Sequence, residues 1–198
     1  MNVLVIPEDF RKDQYILAPI IKAMFNYLGK PKAKVAVCRD PLLGGVHQAL
    51  RWETIAGVID RYKGMIDIFV LCVDRDGILG RKQQLGEIER SAATRLEDHR
   101  HFFAENAWQE LEVWVLAGHD LPKDWKWVDV RQEVNPKETY YVPYAKNRGL
   151  WQRPGEGRVA LSLEAARRYE RIRGLCPEDI GLLESRIRQV LERQSREL

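Results

Sequence analysis

The sequence predicts an α/β protein, a mostly parallel sheet flanked by helices, with a helical C-terminal appendage. Three observations predict it. The runs Val3-Leu4-Val5-Ile6 and Ile68-Phe69-Val70-Leu71-Cys72-Val73 are continuously apolar, as strands covered on both faces require. Between them lie segments with apolar residues at helical spacing. Strands then alternate with helices through residue 117, which implies right-handed crossovers and strand C-termini gathered along one edge, where open α/β sheets bind ligands.

The elements follow in order. Asn2–Ile6 is strand one, and residues 8–13 are a polar connection. Gln14–Leu28 reads as a helix through Ile16, Leu17, Ile20, Ile21, Met24 and Phe25, stopped by Gly29 and Pro31. Ala33–Cys38 is a second short strand, and residues 40–45 are a loop by their turn residues. His47–Tyr62 is an amphipathic helix closed by Gly64. Ile66–Val73 is the third strand. Arg81–His101 reads as one long charged helix, with His99 and His101 on its polar surface. Leu111–Ala117 is expected to be the fourth strand, ending in a Gly118-His119-Asp120 turn. Beyond this the pattern weakens. Trp125–Val130 reads as a short edge strand, and Asn135–Glu138 opens a loop or a helix. Residues 140–148 interleave aromatic and basic side chains. Ser162 is read as the cap of a helix, and Pro177 opens another that runs to the end. The chain thus divides into a core over 1–120 and an extension over 121–198. Trp52, Trp108 and Trp114 are expected in the core; Trp125, Trp127 and Trp151 suit packing of the extension or, as the weaker alternative, stacking on bases.

With 198 residues the chain suits one domain with an appendage. The net charge of +3 does not by itself declare a nucleic-acid binder, although arginines concentrate in the last third, several matched by glutamates at helical spacing. Cys38, Cys72 and Cys176 form no Cys-x-x-Cys pair, which argues against structural zinc and for buried thiols in a reducing compartment. No signal-peptide pattern and no apolar stretch of membrane-spanning length is evident, so a cytoplasmic protein without membrane contact is expected.

The third strand ends in Asp74-Arg75-Asp76-Gly77, and the first ends in Pro7-Glu8-Asp9. Two neighbouring carboxylates repel and raise each other's pKa unless positive charge sits between them. A divalent cation supplies it, and hard oxygen ligands suit Mg²⁺, Mn²⁺ or Ca²⁺. Alone, Asp-x-Asp-Gly at a strand end reads as a turn; Glu8 and the Glu112-Val113-Trp114 segment shift the balance towards metal. Asp9 and Glu112 are auxiliary acids, and His119 is a further candidate for phosphate or metal. Arg81 and Lys82 at the next helix, with Lys137, Lys146 and Arg148, are candidate phosphate contacts. Arg75 is expected to point to the opposite side of the strand end. An EF-hand loop lacks its further acids, a dinucleotide site its Gly-x-Gly-x-x-Gly, and a P-loop its Lys-Ser/Thr. A haloacid-dehalogenase-like phosphatase usually carries its Asp-x-Asp after the first strand, which here ends in Glu8.

Together, Glu8 and Asp74-Arg75-Asp76-Gly77 resemble the signature of the Toprim superfamily, found in topoisomerases, primases, small maturation nucleases and OLD-family nucleases. The resemblance covers roughly residues 2–120. Gln109–Ala117 and Asn135-Pro136-Lys137-Glu138 resemble a small, poorly characterised branch near the OLD-type nucleases. The resemblance implies a Toprim-like (Rossmann-like) fold, with Glu8, Asp74 and Asp76 holding Mg²⁺ or Mn²⁺ and Glu8 serving as general acid or base. It implies a metal-dependent nuclease acting on DNA or RNA, an effector of anti-phage defence working with an ATPase, with oligomerisation left open. Two other readings stand beside it. One is a non-catalytic subunit docking on an ATPase through the arginine-rich tail, and the other is a small-molecule phosphatase. Pro7 before Glu8 departs from the usual pattern of the superfamily.

Overall fold

The structure, a computed structural model, describes residues 1–196. Strands β1 (Asn2–Pro7), β2 (Lys34–Val37), β3 (Ile68–Asp74) and β4 (His101–Ala107) form an all-parallel sheet in the order β2-β1-β3-β4. Helices cover both faces, an arrangement of the Rossmann-like type. The period-two alternation of strand side chains separates two apolar layers. Val3, Val5, Ile68, Val70 and Cys72 face helix α1 (Phe10–Tyr27). Leu4, Ile6, Phe69, Leu71 and Val73 face α2 (Val46–Ala49), α3 (Trp52–Tyr62) and α4 (Arg81–Ala93). Both faces of β1 and β3 are buried, which is why these two strands read as unbroken apolar runs.

Helix α1 begins earlier than periodicity alone indicates, because Asp9 caps it by accepting the Arg11 N–H at 2.8 Å. The single helix expected over 47–62 is two, α2 and α3, broken at Leu50–Arg51, where Arg51 is extended.

The fourth strand is not Leu111–Ala117. β4 pairs with β3 from Ile68↔His101 to Asp74↔Ala107, and Glu112–Ala117 is a short helix, α5, buried all round. An apolar run of this length does not distinguish a buried strand from a buried helix. The true strand was masked by its own polar residues, since Glu105 and Asn106 are buried in β4 and break the apolar pattern. The charged helix accordingly stops at Ala93; His101 opens β4, and His99 lies in the preceding loop. Trp125–Val130 is not a strand either, because residues 127–132 form α6 (Trp127–Gln132).

Helices α7 (Val142–Asn147), α8 (Arg158–Ala166), α9 (Tyr169–Leu175) and α10 (Leu182–Arg196) follow, with wide π turns at Lys137–Tyr141 and Pro177–Gly181. Ser162 lies inside α8 rather than at its start, which is set by Gly157 in the left-handed region at φ +84°. The residues after 120 share the core of the sheet: Leu161, Ile172, Leu183 and Ile187 pack in the same cluster as Val3 and Val5. Where α5 ends, a Cβ on Gly118 would lie 2.4 Å from the Cβ of Ala165, so only glycine admits α8 this closely. Trp114 is fully buried in this layer, whereas Trp52 and Trp108 are half-buried. All three cysteines are buried free thiols. No described helix is long and apolar enough to cross a membrane.

Candidate metal centre

Parallel pairing places the C-terminal ends of β1, β3 and β4 on one edge, with Pro7 opposite Cys72 and Asp74 opposite Ala107. The residues that follow each strand therefore meet. Glu8 Oε2 accepts the Asp74 N–H at 3.1 Å, so the first glutamate and the third-strand aspartate expected from the sequence are indeed neighbours. Asp74 Oδ1 in turn accepts the Leu111 N–H at 2.8 Å, from the segment after β4.

That segment shapes the site. Gln109 accepts the N–H groups of Arg75 and Asp76 on its carbonyl at 2.7 and 3.2 Å, and the Gly77 N–H on its side chain at 2.8 Å. Asp76, Gly77 and Gln109 all have positive φ, at 53°, 70° and 73°. For Asp76 and Gln109 this is a sparsely populated conformation held by the surrounding hydrogen bonds. The result brings one carboxylate oxygen each of Asp74, Asp76 and Glu110 within 4.8 Å of one another. Oxygens sharing one ion at about 2.0–2.6 Å lie no more than about 5 Å apart, so the three fit a single hard cation. The donor set is all oxygen, which suits Mg²⁺ or Mn²⁺.

Burial and like charge act together here. Burial pushes the Glu8 carboxyl up to about 7, against the Asp74 N–H bond and with the help of Asp76. Asp74 is driven well above its ordinary value by burial and then by the charges of Glu112, Glu8 and Asp13. Asp13 rises to about 8, mainly by burial, with Glu112 and Glu8 adding to it. Glu110 rises to about 6, again mainly by burial. These acids sit where a cation would relieve them.

Glu110 and Asp13 were not singled out from the sequence. Glu110 lies beside the misread strand, and a local signal for Asp13, in the first turn of α1, is indistinguishable from ordinary helix-dipole chemistry. Of the auxiliary acids, Asp9 is engaged as the α1 cap. Glu112 lies at the start of α5 rather than in a strand, near enough to Asp74 to raise its proton affinity, and is bound by the buried Arg158. His119 is apart from the acids. It is buried, its Nε2 lies 2.9 Å from the Leu161 carbonyl, and burial lowers its pKa.

The expected phosphate contacts are mostly spoken for. Arg81 is buried, with Nη2 3.7 Å from Asp76 and Nε without a partner. Lys82 donates to the Glu178 carbonyl at 2.5 Å and lies 3.6 Å from Glu105. Lys137 is paired with Glu138 at 3.1 Å and lies 3.6 Å from Glu110. Lys146 stands over the Trp151 ring at 5.7 Å, and Arg148 binds Tyr144 and Glu164. Lys137 and Arg148 are thus paired with acids of the chain itself, while Lys146 and Arg148 remain at the surface. No protein-family model, curated protein or solved structure matches the chain, so its residues and their geometry carry the functional reading.

Proposed function

We propose that the chain is a Mg²⁺- or Mn²⁺-dependent nuclease with a Toprim-like site, cleaving phosphodiester bonds of DNA or RNA. The observation that carries this is the convergence of Asp74, Asp76 and Glu110 within 4.8 Å, with Glu8 hydrogen-bonded to the Asp74 amide beside them. Asp74, Asp76 and Glu110 would hold the ion, whose Lewis acidity and bound water supply charge stabilisation and a nucleophile. Glu8, with a pKa near neutrality, can take a proton from water or return one to the leaving oxygen. Arg81 stands beside Asp76 and compensates part of the negative charge. Asp13 and Glu112 lie behind the ligands and tune their charge.

The docking alternative places the partner on the arginine-rich tail. Several of those arginines are used within the fold: Arg173 and Arg188 on the fully buried Glu184, and Arg186 on Glu89 and Glu105. This favours the catalytic reading. A role in defence beside an ATPase rests on the Toprim resemblance alone.

The test is Mn²⁺-dependent nicking of supercoiled plasmid by the wild type and by Asp74→Ala, Glu8→Ala and Glu110→Gln, each checked for folding by circular dichroism. We expect cleavage by the wild type and loss of about 100-fold or more in each variant. Cleavage undiminished in Asp74→Ala and Glu8→Ala would discard the proposal.

A further inference from the structure

We propose that Arg75, the residue between the two aspartates of the site, is a phosphate-binding residue whose guanidinium is held in readiness by Trp108. The proposal rests on the nuclease reading and names how the same site grips its substrate: through the anionic phosphodiester backbone.

Arg75 has carboxylates on both sides in the chain, yet among the described residues its guanidinium makes no ion pair and no hydrogen bond. It lies instead over the Trp108 ring, 4.0 Å from the centroid. The other cations expected at this edge behave differently: Lys82 and Lys137 are bonded internally, and Arg81 lies buried against Asp76. An arginine flanked in the chain by two acids can pair with a carboxylate, as Arg158 does with Glu112; Arg75 instead stacks. Stacking on an indole is the arrangement that leaves the donor edge of a guanidinium free.

The platform is rigid. The backbone N–H of Trp108 donates to Asp179 at 2.7 Å, and Asp179 is itself fully buried. Arg131, fixed to the same Asp179 at 2.9 and 3.0 Å, lies 5.6 Å from the same ring. On the Arg75 side, the backbone N–H groups of residues 75–77 are all tied to Gln109. The backbones that carry the arginine and its support are therefore fixed before any ligand arrives, and the two side chains meet at 4.0 Å. A planar fork of donors fits phosphate oxygens two at a time.

Charge balance favours the same partner. A divalent ion on Asp74, Asp76 and Glu110 leaves that ligand set net negative, so a phosphodiester approaching it needs a further cation that is not already neutralised. Arg75 is adjacent in sequence to two of the three ligands and unspent.

The test uses fluorescein-labelled single-stranded and duplex DNA of about 20 nucleotides, longer than a typical single-strand site. Binding is measured by anisotropy in Ca²⁺, across a salt series, for the wild type, Arg75→Ala, Arg75→Lys and Trp108→Leu. Mn²⁺ binding to each protein is measured separately by electron paramagnetic resonance. We expect Arg75→Ala to bind about tenfold more weakly, with the salt slope reduced by about one. Arg75→Lys should recover part of the loss, Trp108→Leu should resemble Arg75→Ala, and Mn²⁺ affinity should be unchanged in Arg75→Ala. Equal affinity and equal slope for Arg75→Ala and the wild type, or no binding of either DNA by the wild type, would overturn the proposal. Failure of the wild type to bind Mn²⁺ would instead overturn the reading of the acids, whatever Arg75 does.

Discussion

Arg158 places two nitrogens, Nε and Nη2, on a single oxygen of Glu112, across 46 residues of chain. Its third nitrogen donates to Glu156 at 2.6 Å and to the Gly155 carbonyl at 3.1 Å. The turn that delivers it runs through three successive left-handed residues, Gly155, Glu156 and Gly157. A Cβ on Gly155 would sit 2.6 Å from the Tyr15 ring, so the turn is pressed against α1 and glycine is required there. In this way the second half of the chain supplies the counter-charge behind an acidic site built by the first half.

Because Arg158 is 1% exposed, its removal leaves Glu112 buried without a partner. Arg158→Ala should lose about 3–5 kcal/mol of stability in urea denaturation. The double variant Arg158→Met/Glu112→Met should recover much of that loss, since an apolar pair replaces a buried ionic one. A single variant as stable as the wild type would show that the pair does not hold the fold together.

Metal should stabilise the folded chain. At about 100 times its dissociation constant, Mn²⁺ contributes about 2.7 kcal/mol, which for a chain of this size raises Tm by about 5–10 °C. The shift should vanish in Asp76→Ala and in Glu110→Gln, and EDTA should reverse it in the wild type. An unchanged shift in both variants would place the ion elsewhere.

The metal-free protein should lose stability as pH rises from about 4.5 to about 8. Folded Glu8 and Asp13 keep their protons up to about 7 and about 8, whereas the unfolded chain releases them near the ordinary values of 4.5 and 3.8. Across that window the folded state binds more protons than the unfolded state, so the slope of stability with pH is negative, up to about 1.4 kcal/mol per pH unit for each fully protonated group. Their stabilising effect is complete below the unfolded values and is lost as pH passes through the folded ones. Urea midpoints across this range check it, and a flat or rising profile between pH 5 and pH 8 refutes it. The benefit of Mn²⁺ should grow over the same range, because binding displaces those protons.

Asp179 accepts four hydrogen bonds, from the backbone N–H of Trp108, the indole N–H of Trp114 and two nitrogens of Arg131. It ties the segment after β4 to α5, α6 and the turn before α10. Asp179→Ala strands a buried arginine and should cost about 3–5 kcal/mol, with Asp179→Asn costing less because one acceptor oxygen remains. Thermal unfolding measures both; equal Tm values for the wild type and Asp179→Ala would contradict the role.

The two central strands, helix α1 and the acids at the ends of β1 and β3 were legible in the sequence. Continuous apolar runs report burial on both faces, and burial is a local property that composition records. The cluster of Asp74, Asp76 and Glu110 was read only in part, because Glu110 follows a strand whose polar residues hid it. Likewise, the aromatic and basic stretch of 137–148 looked like a binding surface, yet Lys137, Arg148 and Lys146 are held by Glu138, Glu164 and Trp151.

By itself, then, the sequence determined which segments must be buried and which acids end two buried strands. Tertiary structure decided which run filled the fourth strand position, because two candidate segments competed for one free edge of β3 and only pairing geometry distinguishes them. It also decided which charges were neutralised and which left free. Partners such as Glu112 and Arg158, or Arg131 and Asp179, lie more than 40 residues apart, and no local pattern of residues encodes who meets whom across that distance.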